Sequence, residues 1–100
     1  MKNESTRILV ESLSMDLLRT ALGLHRKSFK MAERFKQESL KGLQELESRK
    51  LKDVRLRALI KKTIQVFELN KEDMHEDLLM YSTLFQNFAI HRFKKLSSSV

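Results

Sequence analysis

The sequence predicts an all-α fold, an antiparallel bundle of three or four helices, and three observations carry that expectation. The 100 residues contain no proline and only two glycines, so almost nothing in them breaks a helix. No segment sustains the two-residue alternation of a half-buried strand. Apolar residues instead recur at steps of three and four, the spacing that lines one face of a helix. At 41% hydrophobic and 33% charged residues, the chain holds enough apolar material for one core, and its length suits a single domain over residues 1–100.

The first helix is read from Val10, Leu13, Leu17, Ala21, Leu24, Ser28, Met31 and Phe35, which form one continuous seam and place Gly23 inside the helix. A second seam, Leu18, Leu22, His25, Phe29 and Ala32, is turned by about 100° from the first. Such a helix needs two neighbours, either two helices of the same chain or one from a second protomer. A turn is expected near Lys36–Ser39, although Leu40 and Leu43 also allow one helix to reach Glu47. Further on, Leu51, Val54 and Ala58 share one face, whereas Leu56, Leu59, Ile60, Thr63, Ile64 and Phe67 share another. A break near Ser48–Asp53 reconciles them.

The last helix, about residues 71–96, takes Asn70 as its N-cap, with Asp73 able to reach back and Glu72, Glu76 and Asp77 favouring its positive end. Arg92, Lys94 and Lys95 suit its other end. Met74, Leu78, Tyr81, Phe85 and Phe88 make one stripe, and Leu79, Met80, Leu84 and Ile90 fill the remaining circumference. A helix apolar nearly all round belongs at the centre of a bundle or at an oligomer interface. The first stripe is therefore the expected dimer interface. Residues 1–4 and 97–100 are expected to fray.

Several chemistries are closed by composition. Without cysteine there is no disulfide, thiolate nucleophile or Cys-ligated zinc. Gly23 and Gly42 stand alone, so no phosphate loop forms, and no strained turn presents a serine to a histidine. No cofactor and no metal site are expected, because the single Glu72-x-x-His75 pair lacks the second pair and the extra carboxylates of a di-metal bundle. The N-terminal apolar run is too short for a secretory leader and no window reads as a membrane span; the expectation is a cytoplasmic protein without membrane contact.

Two short motifs resemble known families. His75-Glu76 is similar to the phospho-accepting His-acidic pair of two-component kinase dimerisation hairpins. Leu79, however, stands where those place a polar residue, and no ATP-binding domain fits in the chain. The run from Arg19 to His25 resembles the Arg-x(4–6)-His motif of helical HEPN-type ribonucleases, which implies a nuclease with Arg19 and His25 acting at a dimer interface. No resemblance spans the chain.

The formal net charge is +7, and the excess is clustered. Arg49, Lys50, Lys52, Arg55, Arg57, Lys61 and Lys62 face one carboxylate, Asp53, within fourteen residues; Arg26, Lys27, Lys30, Arg34 and Lys36 face only Glu33. Lys50, Arg57 and Lys61 are read as one helical face, with Arg55 and Lys62 on another. The first reading is a non-enzymatic interaction module that forms a homodimer, its basic faces suited to acidic protein surfaces, among them the Glu72–Asp77 patch of a second copy. The alternative is nucleic-acid binding through residues 49–62, salt-sensitive and with little sequence specificity.

Overall fold

The structure, a computed structural model, describes residues 5–93, which form four helices and no strand. Helix α1 spans Thr6–His25, α2 Phe29–Ser48, α3 Val54–Leu69 and α4 Met74–Phe88, with a π-helical turn, Ala89–Phe93, continuing α4. The expected fraying at 1–4 and 97–100 lies outside the described residues, as do Lys94 and Lys95.

Side-chain caps start α1 and α3, and left-handed residues end α1 and α3. Ser5 caps α1, its Oγ accepting from the Ile8 N–H at 3.2 Å, and Asp53 caps α3 by accepting from the Leu56 N–H at 3.0 Å. At the end of α1, Ser28 N–H donates to the Gly23 carbonyl at 2.7 Å and Lys27 N–H to the Leu24 carbonyl at 3.1 Å. That pair of bonds is the Schellman motif, with Lys27 in the left-handed region at φ 60°. The 26-residue first helix read from the sequence is therefore two helices, broken at Arg26–Ser28, and Lys36–Ser39 lies in mid-α2. The break at Ser48–Asp53 falls where the sequence places it. Asn70 is not the N-cap of α4; at φ 49° it closes α3, its N–H donating to the Val66 carbonyl. Asp73 takes the N-cap position of α4, but its side chain makes no capping bond.

The helices alternate in direction. Arg49 at the end of α2 donates to Thr6 Oγ1 at the start of α1; the His25 and His75 rings, 5.5 Å apart, join the end of α1 to the start of α4; and Arg92 pairs with Asp53 across α4 and α3. Helix α1 packs on α2 and α4, and α3 closes the ring more lightly against the same two. Both neighbours that α1 requires thus come from its own chain. The core they enclose is built from Val10, Leu13 and Leu17 of α1, Leu43 and Leu46 of α2, Leu56, Ile60 and Phe67 of α3, and Leu78 and Phe85 of α4. Near the α1–α2 turn the backbones nearly touch: a Cβ on Gly23 would lie 2.8 Å from the Ala32 nitrogen.

Candidate interaction surfaces

Helix α4 divides its apolar residues between two sides. The expected interface stripe faces inward, with Met74, Leu78, Phe85 and Phe88 buried in the chain's own core and Tyr81 half-buried against it. Helix α4 is not central; it occupies one place in the ring and keeps an open face. On that face Leu79 is 46% exposed, Met80 48%, Leu84 39% and Ile90 44%. Between Asp77 and His91 the helix carries no charge at all, and the polar residues on the open side are Thr83, Gln86 and Asn87.

The line along which α1 and α4 meet is marked by Ser82, whose Oγ donates to the Ser14 carbonyl at 2.8 Å. Met15 follows Ser14 by one residue, which turns it about 100° outward, and Leu79 lies almost one turn before Ser82. Met15 is 41% exposed and Ile8 46%. Leu18 and Leu22, one and two turns past Ser14, are half-buried. Leu18 and Leu22 thus border the open face of α4, whereas Met15 lines the α1–α2 groove and Ile8 lies beyond the exposed Arg7–Glu11 pair.

The basic segment has a different geometry from the one its spacing suggests. Lys50 is not on a helix; it sits in the α2–α3 loop in the left-handed region at φ 51°. It nevertheless meets Arg57 and Lys61, one turn apart on α3, around a hollow of about 190 Å³ that Leu46, Glu47, Leu51 and Ile60 also line. Arg55 lies on the opposite edge of α3, lining a second hollow with Leu84, Phe88, His91 and Arg92, and Lys62 falls on that edge by helical spacing. Lys52 is exposed in the loop. Arg49 is engaged: it pairs with Glu45 at 3.1 Å and reaches Thr6.

The histidines and the short motifs resolve as follows. Arg19 pairs with Asp16 at 3.8 Å and lies over the Phe35 ring, while His25 turns toward His75 on α4. The two motif residues therefore diverge within one chain. Glu72 and His75 belong to no group of three metal-type side chains among the described residues. A groove of about 580 Å³ between α1 and α2 is lined by Met15, Asp16, Arg19, Glu38, Lys41 and Glu45 beside Leu13 and Gly42. Burial pushes the Asp16 carboxyl above its ordinary range, with Arg19 opposing the rise and Glu38 adding to it.

The contact of His25 with His75 is a feature that sequence reasoning missed. The apolar residues of the open α4 face were visible in the sequence, but the stripe assigned to the interface was the inward one. No family model matches the chain, and no curated protein or solved structure matches it. No helix among the described residues is long and apolar enough to cross a membrane.

Proposed function

We propose that the protein is a helical interaction module that pairs with a second copy of itself through the open face of α4. The observation that carries the reading is the uncharged, solvent-facing strip of Leu79, Met80, Leu84 and Ile90, the kind of face an isolated chain normally covers with Lys and Glu. A second copy suits it because the strip is self-complementary. Its N-terminal end carries Glu72, Asp73, Glu76 and Asp77, and its C-terminal end carries His91 and Arg92. A two-fold axis at Leu84 lays the two copies of α4 antiparallel, so that Asp77 of each lies over His91 of the other and Leu79 comes within a residue of Ile90. Rim charges of this kind fix register more than they add affinity.

The discriminating variant is Leu79→Glu with Leu84→Glu, because both side chains are already partly in solvent and neither fills the core. Size exclusion with light scattering at about 100 μM is expected to give twice the chain mass for the wild type and the chain mass for the double variant, with unchanged helical circular dichroism. A wild type of single-chain mass, or a double variant that stays paired, overturns the reading. Phe85→Asp cannot decide it, since a charge at that fully buried ring unfolds the chain whether or not it pairs.

A further inference from the structure

Helix α3 is where cations and carboxylates are most out of balance. No acidic residue occurs between Asp53 and Glu68, while Arg55, Arg57, Lys61 and Lys62 are all exposed. Arg7, Arg19, Lys41 and Arg49 each lie beside a carboxylate one turn away. The four α3 cations have no such partner among the described residues, and neither do Lys30, Arg34 and Lys36 of α2. But α2 intersperses its cations with Glu33, Glu38, Glu45 and Glu47, whereas α3 has Glu68 alone, at its far end. A merely solvated face is normally laced with opposite charges, because like charges a turn apart repel.

The unpaired cations form two rails. Arg57 and Lys61 run along the α2 edge and converge with Lys50 on the small hollow, where Glu47 is the one opposing charge. Arg55 and Lys62 run along the α4 edge, and between the rails the ridge of α3 is neutral, with Val54, Ala58 and Gln65 exposed. Lys50 holds a backbone conformation that is uncommon outside glycine and asparagine, and from that turn it lines the same hollow as Arg57 and Lys61 without a helix to carry it.

We propose that this face binds the sugar–phosphate backbone of nucleic acid, with Lys50, Arg57 and Lys61 seating phosphate at the hollow. A linear polyanion can follow a strip that runs the length of a 16-residue helix, about 24 Å, whereas a compact acidic patch on a protein engages one rail only. Phe67, the one aromatic of α3, is buried, so the strip offers no ring on which to stack a base. Recognition therefore runs through phosphate and is independent of sequence.

The test is fluorescence anisotropy with a labelled duplex DNA and a labelled single-stranded RNA, each of about 20 nucleotides, at about 50 and 200 mM salt. Three phosphate contacts on duplex predict an affinity drop of about 40-fold over that range, and somewhat less on a single strand. Lys50→Gln/Arg57→Gln/Lys61→Gln is expected to weaken binding at least about tenfold at the lower salt and to flatten the salt dependence. Arg26→Gln/Lys27→Gln/Lys30→Gln removes the same charge at the opposite end of the bundle and is expected to keep most of the affinity. Binding of either nucleic acid with this pattern supports the proposal and names the preferred form. Absence of binding to both at about 50 mM salt overturns it, and so does equal weakening by the two triple variants, which would reduce the effect to net charge. All six side chains are exposed, and matching thermal melts check that each variant folds.

Discussion

The two glycines are expected to respond to the same substitution with opposite signs. Both lie inside helices, where replacing Gly by Ala gains up to about 1 kcal/mol from backbone entropy. At Gly42 that gain should be realised, because an added Cβ meets only Leu13 side-chain carbons at 3.7 and 3.9 Å, ordinary contact distances. At Gly23 the Cβ would lie 2.8 Å from the Ala32 nitrogen and 3.0 Å from the Ala32 Cα. Those atoms are backbone and cannot swing aside. Only Arg26, Lys27 and Ser28 separate α1 from α2, and the Ser28 N–H is tied to the Gly23 carbonyl itself, so the helices cannot part without breaking the turn. Overpacking of this kind costs about 1–3 kcal/mol, more than the entropy returns. In thermal melts followed by circular dichroism at one protein concentration, Gly42→Ala should raise Tm by about 4–8 °C and Gly23→Ala should lower it by a similar amount or more. A Gly23→Ala protein that melts at or above the wild type would refute the close approach of α1 and α2.

Other substitutions test separate parts of the structure. Ser39 is fully buried on α2 and its Oγ has no hydrogen-bond partner among the described residues, so Ser39→Ala should add about 1 kcal/mol of stability in urea titrations. Lys27→Gly relieves a left-handed lysine at the position of the Schellman motif that glycine prefers, and a gain of about 1 kcal/mol should appear in the same assay. For Asp16, burial raises the proton affinity of the folded chain above that of the unfolded one. Folded protein then holds the extra proton, and stability falls as pH rises from the ordinary carboxylate range through the raised pKa. Asp16→Asn should accordingly raise Tm at about pH 7, with the advantage shrinking as the pH is lowered into that range; an advantage that grows in acid would contradict the assignment.

Much of the framework was legible because it depends on residue type and spacing. The seam Val10–Leu13–Leu17–Ala21 and the break after Ser48 both follow from the 3.6-residue period and are found in the structure. The α1–α2 turn was not legible because its left-handed residue is Lys27, a good helix former, where a glycine would have announced the stop. Asn70 misled for a related reason: asparagine serves both as an N-cap and as a left-handed terminator, and only the length of α3 decides between them. On α4 two apolar stripes compete, and periodicity cannot say which turns inward. The Phe85 stripe does, since large rings bury the most area, leaving the smaller Leu79–Ile90 stripe outside. Lys50 looked helical by spacing and reaches its partners from a loop.

The two proposed surfaces draw on residues the fold does not need. The core closes on Leu13, Leu17, Leu43, Leu46, Ile60, Leu78 and Phe85, of which only Leu46 and Ile60 reach either outer face, at the floor of the Lys50 hollow. Selection for packing alone therefore places no demand on the chemistry at Leu79, Met80, Leu84 and Ile90, or at Arg55, Arg57, Lys61 and Lys62. Yet the two sets are sorted, with no charge between Asp77 and His91 on one helix and no carboxylate between Asp53 and Glu68 on its neighbour. The surfaces adjoin at one edge, where Arg55 and Leu84 line the same hollow, and diverge at the other, where Lys50, Arg57 and Lys61 face α2. Pairing through α4 would leave that second rail open on each copy and give the pair two phosphate-binding strips, which a long polyanion can engage together with more affinity than either alone.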